Sequence, residues 1–203
     1  MSKPDYWQEA KDYLANKDQI LARLINDYPD EVLTTIRKPF QTLIRAVVGQ
    51  QISVQSADAV WLRLTNKLPE INAHCFLALT NEQLKECGLS RQKIAYMTNI
   101  ANAFEQGDLT PDLWSEMDDR EIFKQLVKIK GVGEWTAQMF LIFHLNCPDI
   151  FPIADIGLVN AVKKLYGDTT KEQILDRSQM WQPYRTVASW YLWLSLDPLT
   201  VQY

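Results

Sequence analysis

Glycine is scarce in this chain, seven residues in 203. That argues against a sheet-and-turn architecture, in which glycine supplies the positive φ angles of tight hairpins. Cysteine is scarce too. Cys75, Cys87 and Cys147 lie far apart with no CxxC pair, which excludes a disulfide framework and offers no zinc or iron–sulfur ligand set. They read as small core or surface residues. No apolar run is long enough to span a bilayer. The opening "MSKPDYWQEAKDYL" is charged and amphipathic, so no signal peptide is expected and the default compartment is the cytoplasm. A basic excess is also missing: the formal net charge is −4, which by itself leans away from nucleic acid.

What is present is an ordinary globular balance, 47% hydrophobic and 23% charged, long enough for one domain or two small lobes sharing a core. Strand-type alternation, tandem repeats and low-complexity linkers do not occur. Almost everything reads as helix. Residues 6–28 carry apolar positions at helical spacing, with a break expected between Asn16 and Asp18. Pro39 opens "PFQTLIRAVVG", and Gly49 ends it. Ser53, Ser90, the Thr80–Gln83 pair and the Asp118–Glu121 pair are N-cap signals for four more helices. An apolar helix is expected from Glu134 to about Leu145, another in "IGLVNAVKKLY" up to Gly167, and a last one opened by Pro183 and ended by Pro198. The expectation is an all-α chain of about ten short helices.

The most informative stretch is "IKGVGEWTAQMFLIFHL" at 129–145. A helix, a Gly-Val-Gly turn and a second helix place backbone amides at the second helix's N-terminus. Those amides and the helix dipole favour an anion such as a phosphate. Gly131 and Gly133 permit positive φ and leave no Cβ in the way. Val132 would point inward to pin the hairpin, and Leu126 and Ile129 would supply its packing face. The bland reading is a plain elbow between helices. Lys124, Lys128 and Lys130 lead into the turn, while Glu121 and Glu134 oppose them. Arg91 with Lys93 and Lys163 with Lys164 make other local basic spots on an acidic chain.

The segment "LVKIKGVGEWTAQMF" resembles the helix–hairpin–helix of the DNA glycosylase superfamily, and "FPIADIGLVNAV" (151–162) resembles its downstream Gly/Pro-rich loop with an aspartate. "PFQTLIRAVVGQQISVQSA" (39–57), "CGLSRQKIAYM" (87–97) and "WQPYRTVASWYLWL" (181–194) are similar to the alkylpurine branch, the DNA-3-methyladenine glycosylases II. The matching segments run in the family's order over most of the chain.

That resemblance implies two helical lobes around a cleft, the helix–hairpin–helix DNA glycosylase fold. One lobe would be residues 1–29 plus 148–203, carrying the catalytic aspartate; the other, 30–147, would end in the hairpin. Asp155, which reads as an N-cap on its own terms, would also be that aspartate, at the mouth between the lobes. Trp135 stands where bifunctional relatives keep a lysine. An indole cannot form a Schiff base, so base removal without strand cleavage is implied. Trp135 would instead stack on the extruded base, and a cationic methylated purine suits that face. Met139 lies one turn further along the same helix, and Tyr184 falls where the family places an aromatic; for both, core packing is an equal alternative. Gly131, Val132, Gly133, Lys130 and Thr136 would form the phosphate-binding hairpin. Gln51, with Ile52, would fill the gap left by the flipped nucleotide. Trp190 and Trp193 read as core.

His74, in an expected loop, and His144, in the apolar helix, have no neighbours that suggest a triad or a metal site. P-loop, zinc and dinucleotide signatures are missing, as is the four-cysteine cluster of the endonuclease III branch. No cofactor is expected beyond a monovalent cation held by hairpin carbonyls, as some relatives show. The implied partner is duplex DNA with alkylated bases, with no membrane and a monomeric state, nucleoid-associated if the source is bacterial. Two other readings stay open. One is a non-catalytic helix–hairpin–helix DNA-binding module. The other is a helical protein-interaction scaffold in which the hairpin is only an elbow.

Overall fold

The computed structural model describes residues 3–35 and 37–196, Ser115 by its backbone alone. Among these residues are twelve α-helices, one 3-10 helix and no β-strand, the all-α architecture expected from the helical periodicity. No helix among them is long and apolar enough to cross a membrane. The chain divides into two compact units, Met1–Ile36 with Leu141–Tyr203, and Arg37–Phe140.

The first unit opens with α1 (Trp7–Lys17) and α2 (Gln19–Asp27). Asp18 alone separates them, in an extended conformation, and its Oδ1 accepts the N–H groups of Ile20 (2.9 Å) and Leu21 (3.1 Å). The short polar side chain therefore ends one helix and starts the next. The same unit resumes with α10 (Ile156–Tyr166), α11 (Lys171–Gln179) and α12 (Arg185–Leu194). Helix α12 is buried along nearly its whole length and packs on α1, α2 and α10. Around it Trp7 meets Trp190 and Tyr191, each with ring centres 6.3 Å apart. Trp181 is completely buried, and its Nε1 donates to Asp18 Oδ2 (2.9 Å), the oxygen that also takes the Tyr166 hydroxyl (2.9 Å).

The second unit carries α3 (Pro39–Gly49), α4 (Val54–Lys67), α5 (Ala73–Leu77), α6 (Asn81–Glu86), α7 (Arg91–Glu105), a 3-10 helix (Pro111–Glu116), α8 (Asp119–Leu126) and the start of α9 (Glu134–Phe143). The long helix α7 packs on α3, α5 and α6. Phe40 sits edge-on to Phe76 (6.2 Å) and Phe104 (5.5 Å), and Trp114 sits edge-on to Phe140 (5.0 Å). The side chains of Ser53 and Ser90 cap α4 and α7, and Thr80 and Asp118 form full capping boxes with Gln83 and Glu121.

Several local expectations are corrected. His74 lies within α5, not in a loop, because Asn72 caps a short helix there through the Cys75 N–H (2.8 Å). Helix α12 starts at Arg185, two residues after Pro183, because Tyr184 has φ −120° and ψ 36°, outside the helical range. Helix α9 stops at Phe143, before Leu145. Helix α11, capped by a Thr170–Gln173 box, had no counterpart in the sequence reading. Pro198, the expected terminator of the last helix, lies outside the described residues.

Candidate functional site

The hairpin joins α8 to α9. Its closing bonds run from the Ile129 N–H to the Leu126 carbonyl (3.1 Å) and from the Val132 N–H to the Ile129 carbonyl (2.9 Å). Leu126 and Val132 are buried, so these two apolar residues anchor the turn from within, and Ile129 is half-buried. The two glycines do different things. Gly131 has φ +108°, a conformation that side chains rarely adopt, and a Cβ there would run into the Tyr96 ring. Gly133 has no positive φ, and a Cβ there would meet nothing within 4 Å. Gly131 is thus required by packing, whereas the bareness of Gly133 faces open space beside the first turn of α9. In that turn helical geometry leaves backbone amides without intrahelical acceptors.

Side chains from elsewhere in the unit hold the hairpin. Asn99 Nδ2 donates to the Lys130 carbonyl (3.0 Å), and Gln50 Nε2 donates to Thr136 Oγ1 (2.9 Å) and the Gly131 carbonyl (3.3 Å). Thr136 is buried. Lys130 is exposed. Trp135 is half-buried, and Met139, one turn later, is fully buried.

The turn after α3 lies in the same unit. Gln50 has φ −56° and ψ 127°, and Gln51 follows with φ +57°. These angles follow the type II turn, whose second central position favours glycine. A long polar side chain there is a local departure of a kind that clusters at functional turns. Gln51 is exposed and so is Ile52. Lys93 Nζ donates to the Val48 carbonyl at the end of α3 (2.7 Å), and burial pushes its ammonium down from its ordinary value.

Asp155 belongs to the other unit. The loop leading to it is clamped by the start of α12. Arg185 pairs with Asp149 through Nε (2.7 Å) and Nη2 (2.9 Å), and the Thr186 hydroxyl donates to the Cys147 carbonyl (2.6 Å) while accepting the Ile150 N–H (3.0 Å). The Asp155 N–H then bonds the Pro152 carbonyl (2.8 Å), closing the loop onto α10. Asp155 is the N-cap of α10: its Oδ1 accepts the Leu158 N–H (2.7 Å) and also the Trp193 Nε1–H (3.0 Å). Trp193 stacks on Phe143 with ring centres 5.9 Å apart, so its indole is itself held. A Cβ on Gly157 would stand 3.2 Å from Asp155 Oδ1. The carboxylate therefore has two N–H donors and a bare backbone beside it.

Tyr184 is half-buried. Its ring stacks near-parallel on Tyr6 (6.2 Å, 18°), and its hydroxyl donates to Glu9 (2.7 Å), which pushes that hydroxyl up from its ordinary value. Neither Gln50 nor Trp193 was singled out from the sequence for these positions. A tryptophan in an apolar helix carries the same pattern as any core residue, and a glutamine in a connector carries none. Among the described residues no group of three or more His, Cys, Asp or Glu is placed to hold a metal ion.

Residues 44–183 match the family described as HhH-GPD superfamily base excision DNA repair protein. DNA-3-methyladenine glycosylase 1 of Schizosaccharomyces pombe is 32% identical over 180 residues, which cover 85% of this chain and 79% of that protein. The solved structure of the 3-methyladenine DNA glycosylase of the same yeast, in complex with abasic DNA, superposes with a TM-score of 0.85 at 29% identity, over 96% of this chain and 100% of that one. A DNA-3-methyladenine glycosidase from Bacillus halodurans superposes with a TM-score of 0.77 at 28% identity, over 97% of this chain and 93% of that one. The chain belongs to the HhH-GPD superfamily of base excision DNA repair proteins.

Proposed function

We propose that the protein is a monofunctional DNA glycosylase that extrudes alkylated purines of the 3-methyladenine class from duplex DNA and hydrolyses the N-glycosidic bond, leaving an abasic site. The observation that carries this reading is Asp155, a carboxylate fixed by the Leu158 N–H and the Trp193 indole at the start of α10, in a chain of this family. The names of its relatives support the substrate class.

In the proposed reaction the C1′–N bond breaks and its electron pair leaves with the base. A methylated purine, cationic in the nucleotide, departs neutral. Positive charge develops on the deoxyribose, and the oriented carboxylate of Asp155 stabilises it. Water then bonds to C1′, and its proton is lost to Asp155 or to solvent. Trp135 stacks on the extruded base. It supplies no amine, so no Schiff base forms and no backbone cleavage follows. Met139 and Tyr184 are the other residues assigned to the base. The hairpin, with Lys130, Gly131, Val132, Gly133 and Thr136, grips a phosphate through backbone amides, and Gln51 with Ile52 fills the vacated stack. The protein acts as a monomer and needs no cofactor. A monovalent cation at the hairpin would have to use second lone pairs, since the Ile129, Lys130 and Gly131 carbonyls each already accept an N–H, and no step is routed through it.

The test is Asp155→Asn. The amide keeps an acceptor for Leu158 and Trp193, so the cap survives while the charge is lost. Release of methylated purines should fall by at least about 100-fold, with binding to a duplex carrying an abasic-site analogue changed only a few-fold. Release at the wild-type rate would overturn the mechanism. A wild-type protein that binds such duplexes but releases no base would instead favour the non-catalytic DNA-binding module.

A further inference from the structure

Two loops of the Arg37–Phe140 unit, the turn at 49–53 and the hairpin at 130–133, are held by one set of side chains. Lys93, Tyr96 and Asn99 follow each other at intervals of three along α7 and reach the two loops in turn. Lys93 takes the Val48 carbonyl just before the turn, Tyr96 backs Gly131, and Asn99 takes the Lys130 carbonyl. Helix α7 is thus a common scaffold. The direct link is Gln50. Its single amide nitrogen spends its hydrogens on Thr136 Oγ1 (2.9 Å) and the Gly131 carbonyl (3.3 Å), 86 and 81 residues away in the chain. Gln50 is half-buried, its Thr136 partner is buried, and the next residue is Gln51 in the left-handed region.

We propose that Gln50 is a positioning residue that ties the 49–53 turn to the phosphate-gripping hairpin, so that nucleotide extrusion depends on that grip. The inference rests on the glycosylase reading above. A glutamine at φ +57° is not at its own minimum, so Gln51 holds that conformation only while its neighbours over-determine it. Gln50 is the neighbour that does so, and its anchor is the backbone that meets the phosphate. Without the tie the turn relaxes to commoner angles and the exposed side chains of Gln51 and Ile52 are no longer aimed.

The experiment uses Gln50→Glu, which keeps the length, removes both donors and sets a carboxylate against a carbonyl. Three readouts are compared with the wild type. They are affinity for an undamaged duplex, fluorescence of a 2-aminopurine placed beside the target nucleotide, and single-turnover release from a methylated duplex at saturating protein. Undamaged-duplex affinity should stay within about twofold. The fluorescence rise on extrusion should shrink and saturated release should fall about tenfold, the scale of two neutral hydrogen bonds. Adding Gln51→Ala should cost little more in the Gln50→Glu background than Gln50→Glu alone, since both act through one element. Should Gln50→Glu fold poorly, Gln50→Met removes both donors without adding a charge and should reproduce the pattern more mildly. Wild-type release with an intact fluorescence rise would overturn the proposal. So would equal losses in undamaged binding and release, because a merely structural Gln50 would weaken both together. A wild-type protein that releases no purine would sink the glycosylase reading alone, and the tie would then be judged by the fluorescence.

Discussion

The most consequential atoms at the residue scale are hydrogens on nitrogen. Asp155 Oδ1 receives two of them, one from the Leu158 backbone and one from the Trp193 indole. The first is an ordinary helix cap. The second has no capping purpose, since Trp193 lies 38 residues further along the chain. Trp193→Phe removes that donor and keeps a ring to stack on Phe143. Release of methylated purine should slow about tenfold, the scale of one hydrogen bond to a charged group, with abasic-analogue binding unaltered. An unchanged rate would leave Trp193 as packing only. The two hairpin glycines can be separated the same way. Gly131→Ala meets both an unfavourable φ and the Tyr96 ring, so it should lower the melting temperature, by about 2 kcal/mol or more in stability, and weaken duplex binding. Gly133→Ala meets nothing in the protein and should leave stability within about 0.5 kcal/mol. If Gly133→Ala still weakens duplex binding, the lost space belonged to the ligand. If duplex affinity is unchanged, the hairpin is an elbow.

Most of the described helices begin where a short polar side chain caps them, and much of that layer is legible in the sequence. Ser53, Thr80, Ser90, Asp118 and Asp155 all accept helix N–H groups as their types and positions suggest. The break at Asp18 was equally visible. Its second role was not: Asp18 Oδ2 gathers the Tyr166 hydroxyl and the Trp181 indole from 148 and 163 residues away, and such long-range pairing leaves no local periodicity. The start of α12 was misplaced for a related reason. Pro183 suits a first helical turn, but tertiary bonds from Arg185 and Thr186 to the 147–150 loop accompany a later start. Asp18→Ala tests the hidden role. It removes a cap and leaves a buried donor on Trp181 and a half-buried one on Tyr166 without their acceptor. Stability should drop by about 3 kcal/mol, more than the ~1 kcal/mol of a cap alone, as read by denaturant midpoint. A loss near 1 kcal/mol would show that Tyr166 and Trp181 find other partners.

At the scale of the whole molecule, charge and proposed partner pull in opposite directions. A chain with net charge −4 meets a polyanion, so its overall field repels DNA and only local basic groups can attract it. In the proposed grip, binding rests on a few close contacts, many of them backbone amides, which carry little counterion release. The salt dependence of affinity should accordingly be shallow, with a slope of log K against log salt nearer −3 than the −10 of strongly basic binders. Lys130 is exposed at the hairpin and is the cation proposed to contribute. Lys130→Ala should weaken binding by a similar factor on damaged and undamaged duplexes, and should reduce that slope by about one. Titration of a labelled duplex at several salt concentrations reads both quantities. A slope left unchanged would place the phosphate contact on amides alone. A loss confined to damaged duplex would mean that Lys130 senses the lesion and not the backbone.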